Sequence, residues 1–239
     1  MRATTCPFAP TAAALRSATD HIAAAMERGE RMSRYAHVAF TENVRRVQRE
    51  RGSAQAMDRL LAAHEGEPDR LGPDEAAFIG ARDGFYLASA GEDGWPYVQF
   101  RGGPPGFVHV LDAGTLAWVE VRGNRQYITT GNLRSDDRVS LFFMDYPHRT
   151  RLKIFGHAET KDPVEFPELH GRLADIRTDG PLEHLMVIRV EGIFWNCQKH
   201  ITPRFSEAEL AEALLPVRER MEMLVEENRA LRAQLQARE

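Results

Sequence analysis

Cysteine is nearly missing from this chain. Cys6 and Cys197 are the only two and lie far apart, so no disulfide framework can be drawn and a reducing cytoplasm is the expected setting. Long apolar runs are missing too: none approaches the roughly 18–20 residues that span a bilayer, and the alanine-rich start has no compact block of large apolar residues to read as a secretion signal. There is no surplus of positive charge; a net charge of −4 argues against a general nucleic-acid or membrane-surface binder. GxGxxG and GxxxxGK[ST] do not occur, which removes the usual dinucleotide and P-loop readings. The nine histidines show neither HExxH nor facial-triad spacing, and Cys197-x-x-His200 has no second pair to complete a zinc site, so no metal is expected. A Cys–His nucleophilic couple likewise lacks any motif around it.

What is present is ordinary in amount and informative in order. With 239 residues, 43% hydrophobic and 28% charged, the chain suits one sizeable domain with extensions or two small ones. Residues 11–28 have helical propensity without an apolar stripe. From Tyr35 to His64 apolar residues recur at helical spacing, with Gly52-Ser53 as the expected break, and Pro73-Asp74-Glu75 opens a short helix through Ile79. From Gly84 the period changes to that of strands. GFYLASA, WPYVQF, GFVHVL, TLAWVEV, RVSLFFMD, RLKIFGHAE and HLMVIRVEGIFW are bounded by turn residues such as Gly91–Gly94 and Asp112-Ala113-Gly114. Seven strands with short connections predict an antiparallel barrel or sandwich, interrupted by helices near Arg125–Leu133 and Pro167–Arg177. Ser206 to Glu209 is a capping box that starts a last helix, which Pro216 kinks, interrupts or restarts. Beyond it Val217, Met221, Leu224, Asn228, Leu231 and Leu235 step by four and three. This is either one amphipathic helix lying on the barrel or a short dimeric coiled coil, with Asn228 at an a position and Glu227 (g) facing Arg232 (e).

Two short stretches could hold an anion. Arg101 precedes Gly102 and Gly103, which can take positive φ and bare their N–H groups beside a guanidinium fork. The plain alternative is a β-turn next to a surface arginine. In Gly123-Asn124-Arg125-Gln126, Asn124 suits the N-cap of the following helix, whose free N–H groups favour an anion. A cation at Arg125, unfavourable to the helix dipole, is easier to understand if an anion shares the site. Again an ordinary cap plus a solvated arginine would serve. Alternation places Arg149, Arg151 and Lys153 on one strand face, either merely solvated or offering positive charge to a bound group.

Taken in order, GWPYVQFRGGPPGFVHVLDAGTLAWVEVRGNRQYITTGN, the RTRLKIFGHAE strand and WNCQKHITPRF resemble the pyridoxamine 5′-phosphate oxidase-like flavin-binding proteins over roughly residues 35–205. The resemblance implies an α+β protein: an antiparallel split β-barrel of the FMN-binding, Greek-key type, with N-terminal helices and a C-terminal helical tail. It implies a homodimer with FMN in a cleft between subunits. The expected division is a helical arm over residues 1–70, the barrel over 71–205 and the last helix over 206–239. The family's cofactor contacts fall on Gln99, Phe100, Arg101, Gly102 and Gly103, on Val119 and Glu120, and on Arg125 and Gln126, with Asn124 added as the expected cap beside them. Farther along they fall on Arg151, Trp195 and Arg204. His200 is the candidate acid or base. The oxidase's substrate lysine corresponds to Pro104, and its phosphate-binding arginine and histidine have no clean counterpart around Lys199-His200-Ile201, so pyridoxamine phosphate is not the expected substrate. The expected function is FMN-dependent oxidation or reduction of a small organic molecule or a reduced nicotinamide. The alternative is a flavin, haem or deazaflavin carrier. No nucleic-acid or membrane partner is expected.

Overall fold

The computed structural model describes residues 34–62, 66–174, 180–196 and 200–237. The helix expected over 11–28, with Cys6, Cys197 and Lys199, lies outside them. The chain divides into two compact units, one ending at Ile201 and one spanning Thr202–Glu239.

The first unit is built on β1 (Gly84–Ala90), β2 (Pro96–Gly102), β3 (His109–Asp112), β4 (Thr115–Val121), β5 (Arg138–Asp145), β6 (Thr150–Lys161) and β7 (Leu182–Asn196). Every pairing is antiparallel, in the order β2-β1-β5-β6-β7-β4-β3. The two edge strands, β2 and β3, do not pair with each other, so the barrel stays split. Curvature nonetheless brings its ends together: Phe85 of β1 meets Trp118 of β4 edge-on, with ring centroids 5.1 Å apart. The fold is the expected α+β split barrel.

Alternation explains the interior. Along β5, and along β6 as far as Ala158, every second residue is buried, and Leu141, Phe143, Leu152 and Ile154 are all fully enclosed. β4 and β7 are apolar on both faces for a separate reason. Leu116, Trp118, Met186 and Ile188 fill the barrel, while Ala117, Val119, Leu185 and Val187 pack under Leu173 of a helix outside it. That helix runs Pro167–Ala174.

Before the barrel come α1 (Arg34–Ala39), α2 (Glu42–Glu50), α3 (Ala54–Ala62) and α4 (Pro73–Gly80). The break at Gly52-Ser53 is where expected, and Thr41, accepting from Val44 N, adds an earlier one. α1 docks on β7 where the strand bulges. A Cβ on Gly192 would lie 2.7 Å from Tyr35 Cα, so only glycine admits this approach. Asp69 clamps the joint, accepting from the backbone N–H groups of Arg34, Tyr35 and Ile193. Within the barrel follow α5 (Ile128–Asn132) and α6 (Pro167–Ala174), the helix over Leu173.

The second unit is one helix, α7 (Glu207–Gln236), opened by the Ser206–Glu209 capping box. Pro216 lies inside it without ending it, and none of its residues is buried.

Candidate functional site

β2 alternates in the same way as β5, and its parity decides which residues can share a site. Tyr97, Gln99 and Arg101 face one way; Val98 and Phe100, both more than half exposed, face the other. Phe100 therefore does not reach the cleft that its neighbours line. Its ring instead covers the space a Cβ would take at Gly84 and Gly102, 2.2 Å and 2.9 Å away. Neither Gly102 nor Gly103 uses the left-handed backbone open to it; Gly102 closes β2, and Gly103 N–H bonds to Asp83 O.

The cleft encloses about 70 Å³. Gln99, Arg101, Glu120, Asn124, Arg125 and Gln126, all expected from sequence, line it together. Arg101 and Glu120 come from strands at nearly opposite ends of the sheet, and their side chains bridge the curl. Arg101 Nε lies 2.8 Å from Glu120 Oε1 but off the line a hydrogen bond needs, while Nη2 donates to Thr129 Oγ1 at 3.3 Å. Glu120 also accepts from Trp118 Nε1 at 2.7 Å. Val119, its neighbour, faces the α6 side and is fully buried there.

The loop between β4 and α5 makes the other wall. Asn124 does not cap a helix, as the sequence had suggested. Its Oδ1 accepts Gln126 N–H at 3.1 Å in a local turn, and α5 begins only at Ile128. The reason is backbone geometry: Arg125 (φ 61) and Tyr127 (φ 51) are left-handed, so the chain cannot be α-helical between them. Two bulky non-glycine residues in that region are strained, a cost found mostly at functional positions. Tyr127 O–H donates to Glu183 Oε1 at 2.6 Å. Arg125 is held above the ordinary arginine pKa, first by its side-chain hydrogen bond with Tyr127 and also by the charge of Glu183.

Sequence reasoning missed His184. It pairs with Glu120 across β4 and β7, and its Nε2 is buried with no hydrogen-bond partner among the described residues. Burial pushes its pKa below the ordinary histidine value; Glu120 and Glu183 pull upward, and Arg101 adds to the lowering. Tyr97, Glu183, Thr129 and Thr130 were missed as well. The β2 parity could have signalled Tyr97, two residues before Gln99. Nothing in the sequence singled out a lone histidine in a fifteen-residue strand.

Trp195, Arg151 and His200 do not line this cleft. Trp195 is 1% exposed, packs edge-on to Phe78 and donates Nε1–H to Glu75 Oε1 at 2.7 Å. Arg151 sits over the Phe142 ring, 5.9 Å from its centroid. His200, exposed and left-handed at φ 65, is not part of the cleft wall, and Arg204 belongs to the second unit.

A model of the pyridoxamine 5′-phosphate oxidase family matches residues 71–197, more than half of the sequence. The chain belongs to that family. Among curated proteins, none matches it. Among solved structures it is similar to HupZ of Group A Streptococcus, at 18% identity and TM-score 0.43, over 56% of this chain and 100% of that one. An FMN-binding protein from Syntrophomonas wolfei is 14% identical at TM-score 0.36, over 51% of this chain and 83% of its own. General stress protein 26 from Bacillus anthracis is 16% identical at TM-score 0.36, over 54% and 92%. Among the described residues, no helix of this oxidase-family chain is long and apolar enough to cross a membrane.

Proposed function

We propose that the chain is an FMN-dependent oxidoreductase that acts on a small organic molecule or a reduced nicotinamide. The observation that carries the reading is the convergence of Arg101, Arg125 and the strained 124–127 loop on one small polar cleft, in a chain of this family. The donor set fits a phosphate: two guanidinium forks, the Gln126 side chain, the Thr129 and Thr130 hydroxyls and the unpartnered His184 ring edge. About 70 Å³ suits a phosphoryl group and not a whole flavin, so the walls named here would hold the phosphate end.

Arg125 and Gln126 would bind the phosphate dianion, and Arg101, kept in place by Glu120 and Thr129, would orient it. His184, its pKa lowered by burial, stays neutral at neutral pH and adds no charge of its own. When bound, FMN supplies the two-electron chemistry. This assignment does not include Trp195, Phe100 or Val119, whose side chains point into the core or to the opposite face.

The reading includes a homodimer. Cross-strand register sets Phe100, Tyr86 and Phe142 side by side on the outward face of β2, β1 and β5, and Phe100 is 57% exposed. Such a row is unusual for a surface meeting only water, and a second copy would cover it.

The test is the visible spectrum of the purified protein and the identity of the chromophore it releases. A flavin spectrum, bleached anaerobically by NADH or NADPH and restored with turnover, is expected. A colourless protein that ignores added FMN refutes flavin binding; bound flavin that never turns over leaves a carrier. Arg125→Ala should cut FMN affinity at least tenfold, since a charged hydrogen bond contributes roughly 1.5–3 kcal/mol.

A further inference from the structure

α7 is a single helix of 30 residues that buries none of them. At 1.5 Å per residue it is about 45 Å long. Pro216 settles its phase. Because the helix continues through the proline, the heptad seen beyond it extends back by a full repeat. Leu214 joins Met221, Asn228 and Leu235 at the a positions, and Leu210 joins Val217, Leu224 and Leu231 at the d positions. All of these but Asn228 are large apolar side chains left exposed, Met221 at 61% and Leu235 at 64%. Pro216 itself falls at c, away from the seam, where its missing N–H disturbs no contact between helices.

We propose that α7 pairs with α7 of a second copy of this chain as a parallel, in-register, two-stranded coiled coil. Leucine fills three of four d positions, and a lone asparagine at a selects register and oligomer state. Parallel pairing sets the two Asn228 amides opposite one another, where each can satisfy the other. Antiparallel pairing would bury each amide against Val217. Parallel register also places Glu227 (g) against Arg232 (e) of the other helix, whereas antiparallel pairing lines Arg218 against Arg232 in the e rows. A membrane surface is the wrong partner for this face: the helix carries seven glutamates and four arginines, a net charge of −3 that anionic lipid would repel. The f positions opposite the seam are Glu212, Glu219, Glu226 and Ala233, and Arg229 pairs with Glu226 at 2.9 Å.

Cysteine cross-linking in the full-length protein tests this without depending on the flavin or on the barrel face. Asn228→Cys is oxidised with diamide, which takes two electrons and two protons from a pair of thiols as the disulfide forms. The wild-type chain reports any background from Cys6 and Cys197. Parallel in-register helices should link at Asn228→Cys at least tenfold faster than at Glu219→Cys, an outward f position, and Leu224→Glu with Leu231→Glu should remove the link. In an antiparallel pair the two Asn228→Cys sites would lie roughly 16 Å apart, too far to join. No cross-link at 228, equal rates at 228 and 219, or flotation of the wild-type protein with vesicles containing phosphatidylserine would each overturn the proposal.

Discussion

Two polar clusters in the first unit treat buried charge in opposite ways. At one end, Glu75 is 3% exposed, and both of its oxygens are used: Oε1 accepts from Trp195 and Oε2 from Gly72 N–H at 2.9 Å. Asp145, 2% exposed, is held by Arg82 and His148, each at 2.9 Å. At the cleft, Arg101 Nε is ion-paired with Glu120 without a well-aligned hydrogen bond, His184 Nε2 has no hydrogen-bond partner among the described residues, and Arg125 and Tyr127 hold strained backbone. Buried polar groups in folded proteins are almost always satisfied, so the Nε2 of His184, aimed at a polar cleft, is placed to meet a ligand. The first cluster holds the barrel shut against its helices. The second keeps donors in reserve.

On that contrast, mutations should move stability and binding in different directions. Glu75→Ala has the largest effect. It leaves the buried Trp195 N–H and the half-buried Gly72 N–H unpaired, and should cost about 3 kcal/mol in denaturant unfolding. Gly192→Ala comes next: a methyl driven into the Tyr35 backbone should lift α1 from β7 at a cost of about 2 kcal/mol, with amides 34–39 losing protection from exchange. Arg125→Gly should act with the opposite sign on the flavin-free protein. It relieves a left-handed residue and stabilises by up to about 1 kcal/mol after the extra freedom of unfolded glycine is subtracted, while FMN affinity falls about tenfold. A variant that loses both stability and binding would break the comparison.

The smallest effect is a pH dependence. The folded pKa of His184 lies below its unfolded value of about 6.5, so the unfolded chain takes up the proton first. Its contribution to stability is therefore complete above that pH and is lost as pH falls through it. Urea titrations of the wild type from pH 7.5 to 5.5 should show that decline, and His184→Asn should flatten it; an unchanged slope would remove His184 from the account.

Much of the barrel was legible because strand period and turn chemistry are local. All seven strands could be placed from alternation, and Arg101 with Arg125 from glycine-marked loops. What escaped was set by distant or hidden partners. Trp195 looked like a cofactor residue because nothing near it in sequence names Glu75, 120 positions earlier. The left-handed turn at Arg125 and Tyr127 was unreadable because neither is glycine or asparagine, the residues that announce such geometry. Phe100 was assigned to the cleft because family order does not state strand parity.

The open seam has a consequence for how copies of this chain can meet. β2 is an edge, and a bare edge invites strand-by-strand growth into aggregates. Here it begins at Pro96 and is followed at once by Pro104 and Pro105, residues that cannot donate to a neighbouring ladder. Only the few residues between them offer a template. Self-association is thereby turned away from the open-ended route and towards contacts that close on two copies.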